Sequence, residues 1–292
     1  MKKVSVVIPV YGQWNLAKRN IDALLHYDYE HIAEIIVVDD CSPEKNMFLF
    51  DNNLVRVISN DHNKGYAGTV NNGLSKAFSE IIILLDSDAY PIEPFIQKVI
   101  AMYTADANLG CIGFGTVDDN GNKTGSYVYE PSLTGLVLGQ QLEMRLGLRR
   151  NSNILPFSCS VSFRKACLEE VGYFNEQVFP VLDADLDISM SIHRSRWNLA
   201  FAKEIIVSHQ GGNSYTINYK RVILFYESRW KLLSKYNLIR FPYIAKVLIK
   251  LRIQIEVFLL NLLIYIYKAN RDKYADTIKG RRIILQKISS YP

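Results

Sequence analysis

Residues 81–88 read Ile-Ile-Ile-Leu-Leu-Asp-Ser-Asp. An apolar run this short, rich in β-branched residues, predicts a strand buried on both faces, the kind found in parallel sheets covered by helices. Two carboxylates cannot follow it into an apolar core unpaired, so Asp86 and Asp88 mark the point where the chain leaves the core. The pattern recurs upstream. Residues 4–10, VSVVIPV, form a strand that ends at Tyr11-Gly12. Residues 34–38, EIIVV, form a second, stopped by Asp39-Asp40-Cys41-Ser42-Pro43, and residues 54–58, LVRVI, a third. Between them, Leu16, Ile21, Leu24 and Leu25 recur at helical spacing over 15–27, and residues 66–79 and 93–104 also read as helices. Strands alternating with helices predict an α/β fold, a mostly parallel Rossmann-like sheet flanked by helices. Ligands of such sheets bind at the carboxyl ends of the strands. Two of those ends carry Asp39-Asp40 and Asp86-Ser87-Asp88.

The rest of the chain is less regular. Asp118-Asp119-Asn120-Gly121-Asn122 reads as a hairpin-type turn. A strand over 159–164, a short helix over 165–171 and a helix over 183–194 follow. Residues 204–208, EIIVS, predict a strand leading into His209. From 219 onward the pattern is helical. Two domains are therefore expected, a catalytic body over 1–218 and a helical region over 219–292, in keeping with 292 residues at about 150 per domain.

With 49% hydrophobic and 22% charged residues, the chain has material for a core, which excludes a disordered tail or a disulfide scaffold. Cys41, Cys111, Cys159 and Cys167 form no CxxC pair, so a zinc site is not expected and the thiols read as those of a reduced, cytoplasmic protein. The opening MKKVSVVIPVYGQ lacks the long apolar region of an export signal.

The net charge of +5 hides a split. Residues 219–292 hold 16 Lys/Arg against 4 Asp/Glu, whereas 1–218 hold 18 against 25. A basic tail on an acidic body suggests an anionic surface as partner. Within the tail, Lys246, Lys250, Gln254, Asn261 and Lys268 form one narrow polar stripe on an otherwise apolar helix over 244–268. The longest charge-free piece has 11 residues, against about 20 needed to span a bilayer. Such a helix lies in a membrane interface, or packs internally or against a second subunit. No nucleic-acid-binding motif accompanies the basic residues.

Several groups carry chemistry. Asp86 and Asp88 suit Mg²⁺ or Mn²⁺, which would neutralise a diphosphate leaving group. Asp39 and Asp40 can accept hydrogen bonds from a base or ribose, or simply shape a turn. In NKGYAGTVNNG, residues 63–73, Gly65 and Gly68 allow close backbone approach at a helix N-terminus, where phosphate binds readily. Neither this segment nor Gly113-Phe114-Gly115 is a GxGxxG fingerprint, which counts against a dinucleotide oxidoreductase. Asp183, Asp185 and Asp187 form a cluster from which a general base could come, or a helix N-terminus rich in acids. His209 reads as a metal ligand or a structural histidine.

Taken in order, these segments resemble family 2 glycosyltransferases of the GT-A fold. The resemblance rests on VSVVIPVYGQ, IIVVDDCSP, NKGYAGTVNNG, ILLDSDA, SCSVSFRKACLEEVGYFNE, VLDADLDIS and VSHQGGNS, and covers residues 4 to about 215. It implies that Pro9, Tyr11, Asp39 and Asp40 lie at the nucleotide, that Asn63, Gly65 and Asn71 lie along the nucleotide-sugar, and that Asp86 serves donor and metal. It implies Asp88 and His209 as metal ligands for Mn²⁺ or Mg²⁺, and Asp183 as the base that deprotonates the acceptor hydroxyl, giving inversion at the anomeric carbon. The acidic pair departs from the family pattern as Leu182-Asp183, and Ser189 stands where an Arg is expected. Length and tail look most like bacterial rhamnosyltransferase-type enzymes. These take UDP- or dTDP-sugars to lipid-linked glycans of surface polysaccharides at the inner face of the membrane. Two alternatives stay open: a sugar-phosphate nucleotidyltransferase, whose Gly-rich loop after the first strand is missing here, and a non-catalytic binding protein that kept the fold.

Overall fold

A computed structural model describes residues 2–44, 48, 50, 52–148, 153–209, 219–266 and 271–291. The first strands form as their sequence requires. β1 (Val4–Val10) is buried along its whole length, between β2 (Ile32–Asp39) and β4 (Ile81–Leu85), and is parallel to both. β3 (Val55–Ser59) continues the sheet beyond β2. On the other side of β4 lie β9 (Ser160–Arg164), β6 (Leu109–Val117), β10 (Asn198–His209) and β5 (Ala89–Pro91), giving the order β3-β2-β1-β4-β9-β6-β10-β5. Only β9 and β5 run against the others. The chain steps outward from β1 in both directions, so a crevice opens at the carboxyl ends of β1 and β4. A separate two-stranded sheet pairs β7 (Tyr127–Tyr129) with β8 (Ile154–Pro156).

Helices cover the sheet. α1 (Trp14–Asp28) buries Trp14, Ala17, Ile21 and Leu24, and α3 (Ile96–Ala105) buries Ile96, Val99 and Tyr103, both in the core that holds Val4, Val6 and Ile8. α2 (Gly65–Lys76), with Ala67, Val70 and Leu74 buried, lies against β1 and β2. It stops earlier than its apolar pattern suggested. Ala77 turns extended, and the amides of Phe78 and Ser79 donate to Glu34 Oε1 and Ser5 Oγ. Glu34, buried at the amino end of the sheet, also accepts from Ser5 Oγ at 2.7 Å and from Arg56 Nε at 3.0 Å. That carboxylate is satisfied, as a buried charge must be. α6 (Lys165–Val171) and α7 (Ala184–His193) complete this part.

The chain divides into two packed units. One comprises residues 1–128 and 154–213, the other 129–153 and 214–292. Segment 129–153, counted with the catalytic body in the sequence reading, thus packs with the C-terminal helices. The second unit contains α4 (Leu133–Leu138), α5 (Gln140–Arg145), α8 (Tyr219–Lys235), α9 (Pro242–Ile266) and α10 (Arg271–Lys287). Its core holds Leu136, Tyr226, Trp230, Leu233, Ile249 and Ile284. Among the described residues, no helix is long and apolar enough to cross a membrane.

Candidate active site

The Asp86-Ser87-Asp88 turn at the end of β4 is held by backbone and side-chain contacts. Asp86 N–H donates to Cys159 O at 2.9 Å, and Asn20 Nδ2, reaching from α1, donates to Asp86 O at 3.0 Å. Ser87 Oγ donates to Gln13 Oε1 at 3.0 Å. The chain then turns straight into β5, whose Ala89 pairs in register with His209 at the end of β10. That register brings His209 to the acids: its Nε2 lies 3.5 Å from Asp88 Oδ1. Thr124 Oγ1 fixes the His209 carbonyl at 2.9 Å. One ligand atom from each of Asp86, Asp88 and His209 lies within 4.8 Å of the other two.

The electrostatics follow from this crowding. Burial, then the charge of Asp88, raise Asp86 to about 6, against weaker lowering by His209 and Tyr66. Burial also acts to raise Asp88, but the hydrogen bond and charge of His209 outweigh it and its pKa is lowered. His209 itself is raised; burial opposes this, and the hydrogen bond and charge of Asp88 prevail. Its Nδ1 is buried without a partner. Two carboxylates and an imidazole at this spacing could hold a divalent cation, whose charge would offset the burial and the Asp88 charge that raise Asp86.

No sequence pattern singles out Tyr66, although it stands between Gly65 and Gly68. Its hydroxyl donates to Asp86 Oδ1 at 3.1 Å and to Ser158 Oγ at 2.8 Å, the alternatives for one proton. Burial, then Asp86, push its pKa well above the usual phenol value, so it remains a donor.

The other expected residues are placed as follows. Tyr11, just beyond β1, is 54% exposed at the carboxyl edge. Pro9 is buried inside β1, opposite Val38. Asp39 Oδ1 accepts from the Ser42 amide at 3.0 Å, and Ser42 Oγ in turn accepts from the Gly12 amide at 2.8 Å, which fixes the loop beside Tyr11. Asp40 is buried and spends its oxygens on the protein, accepting from Asn60 Nδ2 (2.8 Å), Lys64 N (2.7 Å) and Gly65 N (3.1 Å).

The start of α2 is therefore not the open phosphate cradle expected. Asp40 and Asn63 take the Gly65 amide, and Pro180 O takes that of Ala67 at 3.0 Å. Gly65 has φ +72, and a Cβ there would stand 3.0 Å from the same Pro180 oxygen. Asn71 is committed too. Its amide group bonds both the carbonyl and the amide of Phe174 (2.8 and 3.0 Å) and Glu176 Oε2 (2.9 Å).

Asp183 precedes α7 in a left-handed conformation with φ 62 and is 8% exposed. A non-glycine residue there is strained, and such strain concentrates where a side chain must be aimed. Asp187, 2% exposed, is in the core. The charge of Asp185 reaches both Tyr66 and Cys159, and Cys159 also feels Asp86 and Asp88. The acids opening α7 and the Asp86 turn thus share one electrostatic neighbourhood. Residues 210–218, which include the QGGNS part of the VSHQGGNS segment, lie outside the described residues.

Comparison with known proteins agrees with this architecture. The model of the glycosyl transferase family 2 matches residues 5–171. The chain is 33% identical to the glycosyltransferase GlyG of Streptococcus pneumoniae over 101 residues, 33% of each protein. It is 26% identical to the Escherichia coli UDP-Glc:α-D-GlcNAc-diphosphoundecaprenol β-1,3-glucosyltransferase WfgD over 134 residues, 45% of this chain and 53% of that protein. The chain thus spans between a third and about half of these relatives.

Among solved structures, the mannosyltransferase PcManGT from Pyrobaculum calidifontis, in complex with GDP-Man and Mn²⁺, superposes with TM-score 0.59 at 12% identity. That match covers 97% of this chain and 87% of the other. TarS 1–349 of S. aureus with UDP-GlcNAc gives 0.54 at 16% identity, covering 99% and 92%. These likenesses carry the fold, the GT-A-like sheet with its helical C-terminal region. The family match, spanning more than half of the chain, carries the lineage: this chain belongs to glycosyl transferase family 2.

Proposed function

We propose that this protein is a metal-dependent, inverting glycosyltransferase that moves a sugar from a UDP- or dTDP-sugar to a hydroxyl of a lipid-linked glycan. The observation that carries the reading is the convergence of Asp86, Asp88 and His209 at the carboxyl edge of the sheet. A divalent cation held there would neutralise the departing nucleoside diphosphate. Tyr66 holds Asp86 by a hydrogen bond. Tyr11 offers an exposed ring to the base, and Asp39, rather than the fully occupied Asp40, offers the acceptor oxygens for base or ribose. Asn63, Gly65 and Asn71 act one step back: they shape the start of α2 and tie it to segments 174–180. Asp183 takes the acceptor proton, and a single displacement by one base inverts the anomeric carbon.

The names of relatives support a lipid-linked acceptor. Besides the E. coli enzyme, a Campylobacter jejuni relative, 30% identical over 94 residues, is a GalNAc(5)-diNAcBac-PP-undecaprenol β-1,3-glucosyltransferase. Nothing in the pocket residues singles out rhamnose. The exposed apolar face of α9 supports peripheral attachment to an anionic membrane. Calorimetric titration of UDP-, dTDP- and GDP-sugars with Mn²⁺ tests the reading. One donor is expected to bind in Mn²⁺ and to lose binding in chelator. Donor binding indifferent to chelator removes the metal role, and no binding of any donor favours a non-catalytic protein.

A further inference from the structure

The helical unit contains a cavity of about 420 Å³ lined by α4 and α5 on one side and α8, α9 and α10 on the other. Three arginines reach it: Arg145 from the end of α5, Arg252 from α9 and Arg281 from α10. Its lining includes one carboxylate, Glu256. Arg281 Nε donates to Glu256 Oε2 at 2.6 Å, and Arg252 Nη1 lies 3.5 Å from Glu256 Oε1. Arg252 also donates to the Tyr226 hydroxyl, and its Nε is buried with no acceptor. The side chains of Arg252 and Arg281 are only 21% and 18% exposed. Arg145 is exposed and pairs with no carboxylate among the described residues.

The charges do not balance. One carboxylate against three guanidinium groups leaves two positive charges, two of the three groups being largely withdrawn from water. Burial, together with the charge of Arg281, lowers the proton affinity of Arg252, against the opposing pull of Glu256. An arrangement of this kind is costly without an anion, and planar guanidinium forks match phosphate oxygens. Gly139 sharpens the fit. It lies at φ +90, and a Cβ there would stand 3.2 Å from Arg252 Nη1, so the bare backbone leaves room for the guanidinium.

The rim is apolar. Leu138 and Leu142 line the cavity and are 36% and 46% exposed, and Met144, Leu146 and Leu148 continue the exposed apolar run. A free phosphate has no use for such a rim, whereas the anionic end of an aliphatic chain does.

We propose that this pocket binds the diphosphate of a lipid-linked acceptor, with Arg145, Arg252 and Arg281 on its oxygens and Leu138 and Leu142 on the first part of its chain. The proposal rests on the lipid-linked reading above and gives it a site. The test is calorimetric binding of farnesyl diphosphate, sodium diphosphate and farnesol in chelator, which silences the metal site. Farnesyl diphosphate is expected to bind more tightly than either other probe. R145Q and R281Q should each weaken it by about tenfold, the value of a charge-assisted contact. Because Arg145 is on the surface, R145Q keeps the test valid if R281Q fails to fold. Equal binding of sodium diphosphate and farnesyl diphosphate, or unchanged binding in R145Q, overturns the proposal. Failure of the lipid-linked reading looks different: wild-type protein then glycosylates soluble glycans and no diphosphate lipid, whatever the pocket binds.

Discussion

Asp86 shows how a single carboxylate reports on its site. Its pKa is raised to about 6 in the fold, from an ordinary 3.8. The folded state therefore favours the acid form, and that contribution to stability is complete below pH 3.8 and lost as pH rises through 6. At pH 7.5 the metal-free protein carries the Asp86 charge buried beside Asp88, offset only in part by His209 and Tyr66. Asp86→Asn, neutral and of the same shape, should raise the metal-free melting temperature by about 2–4 °C, for a gain on the order of 1 kcal/mol. The same variant should lose the further stabilisation that Mn²⁺ gives the wild type. A melting temperature lowered in metal-free buffer at pH 7.5 would show that the carboxylate is not under strain. Asp183 calls for a kinetic test. Asp183→Asn should keep Mn²⁺-dependent donor binding and reduce transfer by roughly 10²-fold or more, as loss of a general base does; near-normal transfer moves the base to Asp185. The carboxylates were legible in the sequence because charge beside an apolar run demands a reason. The committed roles of Asp40 and Asn71 were not, since a hydrogen bond to an amide 24 or more residues away leaves no local pattern. Tyr66, whose hydroxyl reaches a carboxylate 20 residues on and a serine 92 residues on, likewise leaves no local pattern.

At the scale of elements, the apolar strands were legible from composition alone, since a strand buried on both faces has no freedom to vary. β10 was seen only at its end. It runs from Asn198 to His209, with three residues inserted in its register between Ala202 and Ile206, and such a break erases the alternation by which a strand is read. α9 is the more instructive case. Ala245, Ile249 and Ile253 suffice to pack it. Lys246 and Lys250, read from the sequence as a polar stripe, donate instead to the C-terminal turn, at Tyr291 O and Ser289 Oγ; Lys268 lies outside the described residues. The exposed surface is then largely apolar: Ile244, Val247, Leu248, Leu251, Ile255, Leu259 and Leu262 are all 45–54% exposed, and of the polar stripe Gln254 and Asn261 stay exposed beside them. A continuous stripe of this kind marks an interaction surface. The protein should therefore sediment with vesicles containing anionic lipid. Leu251→Glu combined with Leu259→Glu should weaken that binding by at least about tenfold, because each buried leucine contributes roughly 1.5–3 kcal/mol. If the wild type ignores vesicles but forms a dimer that the double variant dissociates, the stripe is a subunit interface.

At the scale of the whole molecule, the sequence announced a boundary near 219 through charge, because basic residues accumulate beyond it. It did not announce that 129–153 leaves the catalytic body to join the C-terminal helices. The described part of that segment holds two six-residue helices separated at Gly139, too short for a periodic pattern, and its buried Leu136 packs with residues about a hundred positions downstream. Each unit has its own core, and each carries one of the two ligand sites inferred above. Hydrogen exchange should separate them. Mn²⁺ with the bound nucleotide is expected to slow exchange at Tyr11–Gln13, Asp39–Ser42 and Asp86–Ala89, where the carboxyl edge closes on its ligand. Farnesyl diphosphate in chelator is expected to slow exchange at Gly135–Arg145 and around Arg252. Protection falls where a ligand stabilises the closed form of a local opening, so its location follows the binding residues. If farnesyl diphosphate protects only the strand ends, the diphosphate is being read by the nucleotide site. If the nucleotide protects only the helical unit, the assignment of the Asp86–Asp88–His209 cluster to the donor falls.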